Sequence, residues 1–247
     1  MRVQVADILY RYSPPMGQQK LNNLDQILFE NVSFQNEGLD PVLVHVDLEV
    51  PMDQTVVIQS SNPTHSVHIL EMLAGRKEPQ SGKIKWTDVG SYGSEDISVS
   101  VHELVSCYFE SNRPDPNITV EVLLFNTGAT KKIIQEAYEH FEISEIADKK
   151  FKALSFEKQK LLLLVIPTLK TPQMLILEDP ALGLSEHVFL NYLDWVQMWQ
   201  RQGHLRHIYM TNNHPAAARH LMASTMYVED GLIYLDDHQS FKKIVHF

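Results

Sequence analysis

The apolar run Met174-Leu-Ile-Leu ends in two carboxylates, Glu178 and Asp179, and a second run, Thr55–Gln59, opens onto SSNPTHSVHILEMLAG at 60–75. The first pattern is a buried strand that presents metal-binding or general-base groups at its end. The second is a strand, loop and helix of the kind that holds phosphate. A working phosphate loop reads G-x-x-x-x-G-K-[ST]: its glycines let backbone N–H groups wrap the phosphates, and its lysine reaches the β and γ oxygens. Here Ser60, Pro63 and His65 occupy glycine-type positions, Ser66 stands at the lysine, and Val67 at the metal-binding hydroxyl. Pro63 fixes φ and has no N–H to donate. The scaffold of a phosphate site is present, and its chemistry is not.

Other chemistry-bearing residues read as structural. His65 and His68 lie three apart with Glu71 three further on, a spacing that could ligate zinc. No fourth ligand or supporting shell accompanies them, so no metal is expected. Cys107 is the single cysteine. It sits within a strand-like run, which implies a buried inert thiol and a reducing compartment. His204 and His207 flank a strand start and read as surface residues. Ser155 lacks a G-x-S-x-G elbow. The aromatic residues are spread through expected core positions and form no stacking platform for single strands.

Composition narrows the class. The chain has 247 residues, 44% apolar and 21% charged, enough for one large domain or two closely joined lobes. A net charge of −10 argues against nucleic acid as the main partner. The local basic groups Lys149-Lys150 and Lys158-Gln-Lys160 read as solvated faces. No run approaches the roughly 18 apolar residues of a spanning helix. Met1 to Tyr12 carries Asp7 and no apolar signal core, so secretion and direct membrane insertion are not expected.

The elements that must position these groups follow from periodicity. Residues 1–25 read as an N-terminal arm, and 241–247 as a C-terminal tail. Ile27–Phe34 and Val42–Val50 alternate and form an antiparallel pair around Glu37–Pro41. Val56–Gln59 suits a buried parallel strand. A helix is expected over Val67–Gly75 and a strand over Lys83–Trp86. Ile97–Phe109 supplies one or two short elements. Val120–Phe125, Lys131–Phe141 and Ser144–Asp148 form a helical lobe, about 111–160. Phe156–Leu169 is a core helix whose apolar run Leu161–Ile166 is interrupted at Pro167. Met174–Leu177 is a strand. Glu186–Gln202 is an amphipathic helix with Trp195 and Trp199 packed on one side. His207–Thr211 is a strand, Ala216–Ala223 a helix, and Met226–Val228 turns at Glu229–Gly231 into Leu232–Leu235.

In order and spacing these segments resemble the ATP-binding cassette (ABC) ATPases over about 26–240. The matches are Leu73–Gly75, Glu78–Gly82, Leu154-Ser155, Pro172–Pro180 and Glu229–Gly231. The resemblance implies an α/β fold: a P-loop NTPase-like RecA core, an antiparallel β subdomain and a helical subdomain. It also assigns positions. Asn36 falls at the adenine-stacking aromatic, Glu110 at the glutamine that contacts metal or attacking water, and Asn213 at the switch histidine. Ser155 survives in the signature motif, but Phe156 and Glu157 replace the glycine pair, and Lys158 the glutamine. Glu178 stands for the metal-associated aspartate and Asp179 for the catalytic glutamate, with the two side-chain lengths reversed.

A magnitude decides what this implies. Hydrogen bonds to charged groups contribute roughly 1.5–3 kcal/mol each, so losing the lysine and one amide forfeits about 3–6 kcal/mol. That is on the order of a hundredfold to ten-thousandfold in affinity. The expectation is a pseudo-ATPase without ATP, Mg²⁺ or any other cofactor, and without a catalytic residue. Its implied partners are another ABC ATPase subunit, as homo- or heterodimer, and a membrane subunit on a cytoplasmic membrane face. The alternatives are a divergent active ATPase, using ATP and Mg²⁺, and a soluble assembly adaptor.

Overall fold

The computed structural model describes residues 24–36, 40–50, 52–87, 104–211, 220–221, 223–236 and 241–243. Residues 37–39 of the expected turn at Glu37–Pro41, the arm before 24, the switch residue Asn213 and most of the expected helix at 216–223 fall outside this set.

Strands β1 (Gln26–Gln35), β2 (Pro41–Glu49) and β4 (Ser81–Thr87) form a three-stranded antiparallel sheet in the order β2-β1-β4. The register pairs Phe29 with Leu48 and Ile84, as the alternation of β1 predicts. Gly82 starts β4 at φ +79°, where a Cβ would lie 2.2 Å from the Asn31 carbonyl oxygen of β1. Only glycine lets the two backbones approach there.

The larger sheet carries β3 (Thr55–Gln59), β5 (Val105–Tyr108), β6 (Met174–Leu177), β7 (His207–Thr211), β8 (Ser224–Glu229), β9 (Leu232–Asp236) and β10 (Phe241–Lys243). Its order is β10-β9-β8-β3-β7-β6-β5. From β8 to β5 the neighbours are parallel, and β9 and β10 close the other edge antiparallel. Parallel strands need both faces covered, so their sequences are apolar throughout. Val57, Leu175, Leu177, Ile208 and Met210 enter one core with α4 (Phe156–Thr168) and α5 (Glu186–Arg201). Val56, Ile58, Met174, Ile176 and Tyr209 point the other way, into a core with α1 (Pro63–Leu73) and the antiparallel sheet. Each fully buried aliphatic side chain contributes about 1.5–3 kcal/mol to holding this layer.

The helical segment contains α2 (Val120–Phe125), α3 (Lys131–His140) and short 3₁₀ turns at Ser144–Ile146 and Phe151–Ala153. Thr119 and Thr130 cap α2 and α3 with their hydroxyl oxygens. Trp195 and Trp199 of α5 are buried edge to face, with centroids 5.5 Å apart, in agreement with a packing role. Cys107 packs against the second core, and burial pushes its thiol pKa up to about 12.

The expectations need revision at three places. Helix α1 begins at Pro63, four residues before the expected Val67, because Asn62-Pro63 is a helix-start signal in its own right. His207 is not at the surface: it is buried in β7, its ring held between the Asp53 N–H and the Leu24 carbonyl, whereas α4 runs through Pro167 to Thr168 much as its expected bounds, Phe156–Leu169, require. Lys160 is not on a solvated face: it is 3% exposed, whereas Lys149 and Lys150 are exposed.

Candidate functional site

Strands β3, β6 and β7 are parallel neighbours, so the loops leaving their carboxyl ends share one edge of the sheet, the usual place for ligands in such folds. After β3 the chain allows only Ser60-Ser61-Asn62 before α1 starts. Asn62 is the N-cap, and its side-chain oxygen accepts the Thr64 N–H at 3.1 Å. The Asn62 N–H donates to Ser60 Oγ at 3.3 Å, and the His65 N–H to the Asn62 carbonyl at 3.0 Å. Pro63 has no N–H to offer. The amides that an open phosphate loop would present are thus consumed locally. Of the phosphate-loop positions, Ser60 lies in the loop, and Pro63, His65, Ser66 and Val67 lie in the helix. His65 and Ser66 are buried, and His65 Nε2 has no hydrogen-bond partner among the described residues.

The next turn of α1 is tied to β1. Asn36 bonds through its side-chain amide to His68 Nε2. His68 Nδ1 lies 2.9 Å from Glu71 Oε2 and 2.8 Å from Lys77 Nζ, which also donates to Glu71 at 3.1 Å. Lys77 stands 4.9 Å over the Phe34 ring, and Phe34 meets His68 edge-on at 5.2 Å. Burial pulls the Glu71 pKa up, but the bonds from His68 and Lys77 outweigh it and hold the carboxyl below its usual range. Asn36 is therefore engaged by this polar cluster. No group of three or more His, Cys, Asp or Glu residues that could hold a metal is found among the described residues.

The β5–β6 edge gathers the carboxylates. Glu110 follows β5, and its backbone N–H donates to Glu178 Oε2 at 2.8 Å. Asp179 sits at φ +44°, and its N–H donates to Thr211 Oγ1 at 2.9 Å. Between them lies Lys160, from the first turns of α4. Its ammonium forms an ion pair with Glu110 Oε1, and donates to Tyr108 Oη and to the Asp179 carbonyl, each at 3.0 Å. The Tyr108 hydroxyl donates in turn to Glu110 Oε1 at 2.6 Å, and Arg113 reaches Glu110 Oε2 at 3.4 Å. An ammonium has three protons, and all three are used.

The electrostatics follow from this closure. Burial raises Glu110, but hydrogen bonds from Lys160 and Tyr108, with the Lys160 charge, bring its pKa below the ordinary value. Burial lowers Lys160, against the attraction of Glu110, Asp179 and Glu178. Glu178 and Asp179 are both raised, chiefly by burial. The Tyr108 hydroxyl is raised too, by burial and by its bond to Glu110.

At the start of α4, Ser155 caps the helix, accepting the Lys158 N–H at 3.4 Å. Glu157 accepts the Ser185 N–H at 2.7 Å. The Phe156 ring, 62% exposed, lies against Gly183: a Cβ there would meet Phe156 Cε1 at 2.2 Å, and φ is +80°. Phe156 and Glu157 thus latch α4 to the loop after β6. Asn213 lies outside the described residues. Sequence reasoning missed Lys160, Tyr108 and Arg113 as members of the Glu110–Glu178–Asp179 group. The available signal was a lysine directly preceding the apolar run 161–166 of a core helix.

Comparisons with known proteins bear on the family and the fold. The profile described as ABC transporter matches residues 43–182. A sulfate/thiosulfate import ATP-binding protein, CysA, of Shigella flexneri is 22% identical over 188 residues, covering 73% of this chain and 52% of the relative, so the chain spans about half that protein's length. A probable CysA of Chlorella vulgaris is 21% identical over 237 residues, 90% of this chain and 98% of the relative. Among solved structures, a dimeric ATP-binding cassette in a post-hydrolysis state bound to ADP and Pi superposes with TM-score 0.67 at 16% identity, covering 90% of this chain and 100% of that one. A bacterial Atm1-family ABC exporter with ATP bound gives 0.69 at 15% identity, covering 89% of this chain and 40% of that one. With the profile spanning more than half of its residues and cassettes matching its fold from the antiparallel sheet to the parallel core, this chain belongs to the ABC transporter family.

Proposed function

We propose that the chain is a non-catalytic cassette subunit, a structural or regulatory partner in a membrane-associated ABC transport or envelope complex. The observation that carries this reading is the start of α1. A helix begun at Pro63, with the Asn62, Thr64 and His65 amides bonded to Ser60 and Asn62, withholds those N–H groups from a triphosphate, and position 66 offers it no cation. Arg76, the nearest cation in sequence, stands 4.4 Å over the Phe109 ring, and Lys77 beside it is engaged by His68 and Glu71. ATP and Mg²⁺ are not cofactors in this reading, and Glu178, Asp179, Glu110 and Asn213 are not catalytic.

The partners follow from the family. Relatives include import ATP-binding proteins, an exporter and a dimeric cassette. A second cassette, identical or different, and a membrane subunit are therefore the proposed neighbours, at the cytoplasmic face. Among the described residues no helix is long and apolar enough to cross a membrane. The surface around Glu110 and 111–125 is the proposed docking groove for the membrane subunit. Its α2 carries Val122 and Phe125 at 46% and 63% exposure, apolar side chains suited to burial by a partner helix.

Isothermal titration with millimolar Mg-ATP tests the reading: no saturable heat is expected, and tight binding at the α1 start overturns it. The retained carboxylates Glu178 and Asp179 favour a second reading, a divergent ATPase that energises a transporter. Phosphate release abolished by Glu178→Gln or Asp179→Asn would establish that alternative.

A further inference from the structure

We infer that the Lys160 ammonium is a tethered stand-in for a divalent cation, closing the carboxyl edge of β5 and β6 to metal. The position is the first support. The Glu110 and Glu178 carboxylates meet where two parallel strands end, with the Asp179 carbonyl beside them, a concentration of negative charge that needs a neutralising cation. The chain supplies one from α4, 50 residues along from Glu110.

The geometry is the second support. The three ammonium protons go to three different oxygens: a carboxylate, a phenol and a backbone carbonyl. Tyr108 completes a ring, accepting from Lys160 and donating to the same Glu110 oxygen that Lys160 holds. The ammonium also lies 4.4 Å from the Tyr108 ring centroid. Lys160 is 3% exposed, so it cannot leave without stranding a charge in the interior.

A magnesium ion does not fit beside it. Mg²⁺ requires six oxygens at about 2.0–2.1 Å in near-octahedral array. Glu110 Oε1 and the Asp179 carbonyl are directed at Lys160, and Glu178 Oε2 at the Glu110 amide. A metal would have to expel the ammonium to reach them. Remove the amine, however, and the Glu110 carboxylate, the Tyr108 hydroxyl and the Asp179 carbonyl are left facing one another, oxygens of the hard kind that divalent cations take. The inference thus concerns one side chain, and it deepens the non-catalytic reading on which it rests.

The test uses Mn²⁺ alone, without nucleotide, on the whole chain. In the wild type, thermal melts are expected to be the same in EDTA and in millimolar Mn²⁺, with no saturable Mn²⁺ uptake by electron paramagnetic resonance. A slowly exchanging lysine ammonium is expected in ¹⁵N spectra, lost in Lys160→Met and unbroadened by Mn²⁺ in the wild type. Lys160→Met is expected to melt lower, to bind Mn²⁺ saturably and to regain melting temperature with it. Lys160→Arg, which keeps the charge, stays indifferent to the metal. Saturable Mn²⁺ on the wild type at this edge, a freely exchanging Lys160, or a folded Lys160→Met without Mn²⁺ affinity overturns the inference. Should Lys160→Met fail to fold, the wild-type measurements decide. Mg-ATP binding to the wild type without free Mn²⁺ binding would instead sink the non-catalytic reading.

Discussion

The start of α1 and the carboxyl edge of β5 and β6 occupy the same side of one parallel sheet, yet they are closed in opposite ways. At α1 the backbone is decisive: an asparagine cap and a proline start the helix early, and the first amides serve that cap. At the β5–β6 edge the backbone brings Glu110 to Glu178, and a single side chain fills the space beside them. One region is closed by its backbone; the other by a side chain. Point substitutions should therefore act very differently on the two.

The largest effect is expected at the edge. Lys160→Met leaves Glu110, Glu178 and Asp179 together in a half-buried cluster without their central cation. Breaking a buried pair by removing one partner costs about 3–5 kcal/mol, and urea unfolding of the metal-free variant should show a loss of that size. A loss within the range of surface substitutions would mean that the edge is solvated and the contrast with α1 is false.

The α1 start should resist repair. His65→Gly with Ser66→Lys restores two letters of a phosphate loop, its second glycine and its lysine, but Ser66 is 3% exposed within the first turns of a helix. The new lysine would be buried without a carboxylate partner, and a destabilisation of about 2–4 kcal/mol is expected, with no gain in ATP affinity. Recovery of saturable ATP binding would show that the local helix yields easily, and would break the comparison from the other side. A milder probe is Asn62→Ala. Loss of this cap should cost about 1 kcal/mol and fray the first turn, visible as faster amide exchange at Thr64 and His65.

The two regions also differed in how far the sequence revealed them. Strands such as β1 and β2 were legible from alternation, and β3 and β6 from short apolar runs, because side-chain period and burial are local properties. The pair Glu178–Asp179 was legible for the same reason, as the end of such a run. The α1 boundary was misplaced because Pro63 was read as a defect in a phosphate loop, although Asn62-Pro63 obeys the rules of a helix start. Lys160 was misread because its meaning depends on Glu110 and Asp179, distant in sequence and brought near only by the sheet. A lysine beside Lys158 and a glutamine looks solvated until the face of α4 that it shares is known.

Acid provides the finest distinction, because it separates the edge from a third polar knot. His207 is wholly buried; its Nδ1 accepts the Asp53 N–H at 2.7 Å, and its Nε2 donates to the Leu24 carbonyl at 3.0 Å. That pairing needs the neutral ring. Burial lowers its pKa below 6.5, outweighing the pull of the Leu24 carbonyl, Asp53 and Asp25, while Arg206 adds to the lowering. The sign follows: as pH falls below 6.5 the unfolded chain takes up a proton that the folded chain refuses, so stability declines. At the edge, Glu110 is depressed and loses its contribution only as pH falls below 4.5, while Glu178 and Asp179, both raised, gain from protonation and oppose that loss. Between pH 7.5 and 5.5, urea unfolding should therefore report His207, with the slope reduced in His207→Gln and unchanged in Glu110→Gln. An equal slope in the wild type and His207→Gln would place the acid sensitivity elsewhere. A slope that moved with Glu110→Gln would mean that the Lys160 ring does not keep its carboxylate ionised, and the contrast between an α1 closed by backbone and an edge closed by a side chain would lose its electrostatic half.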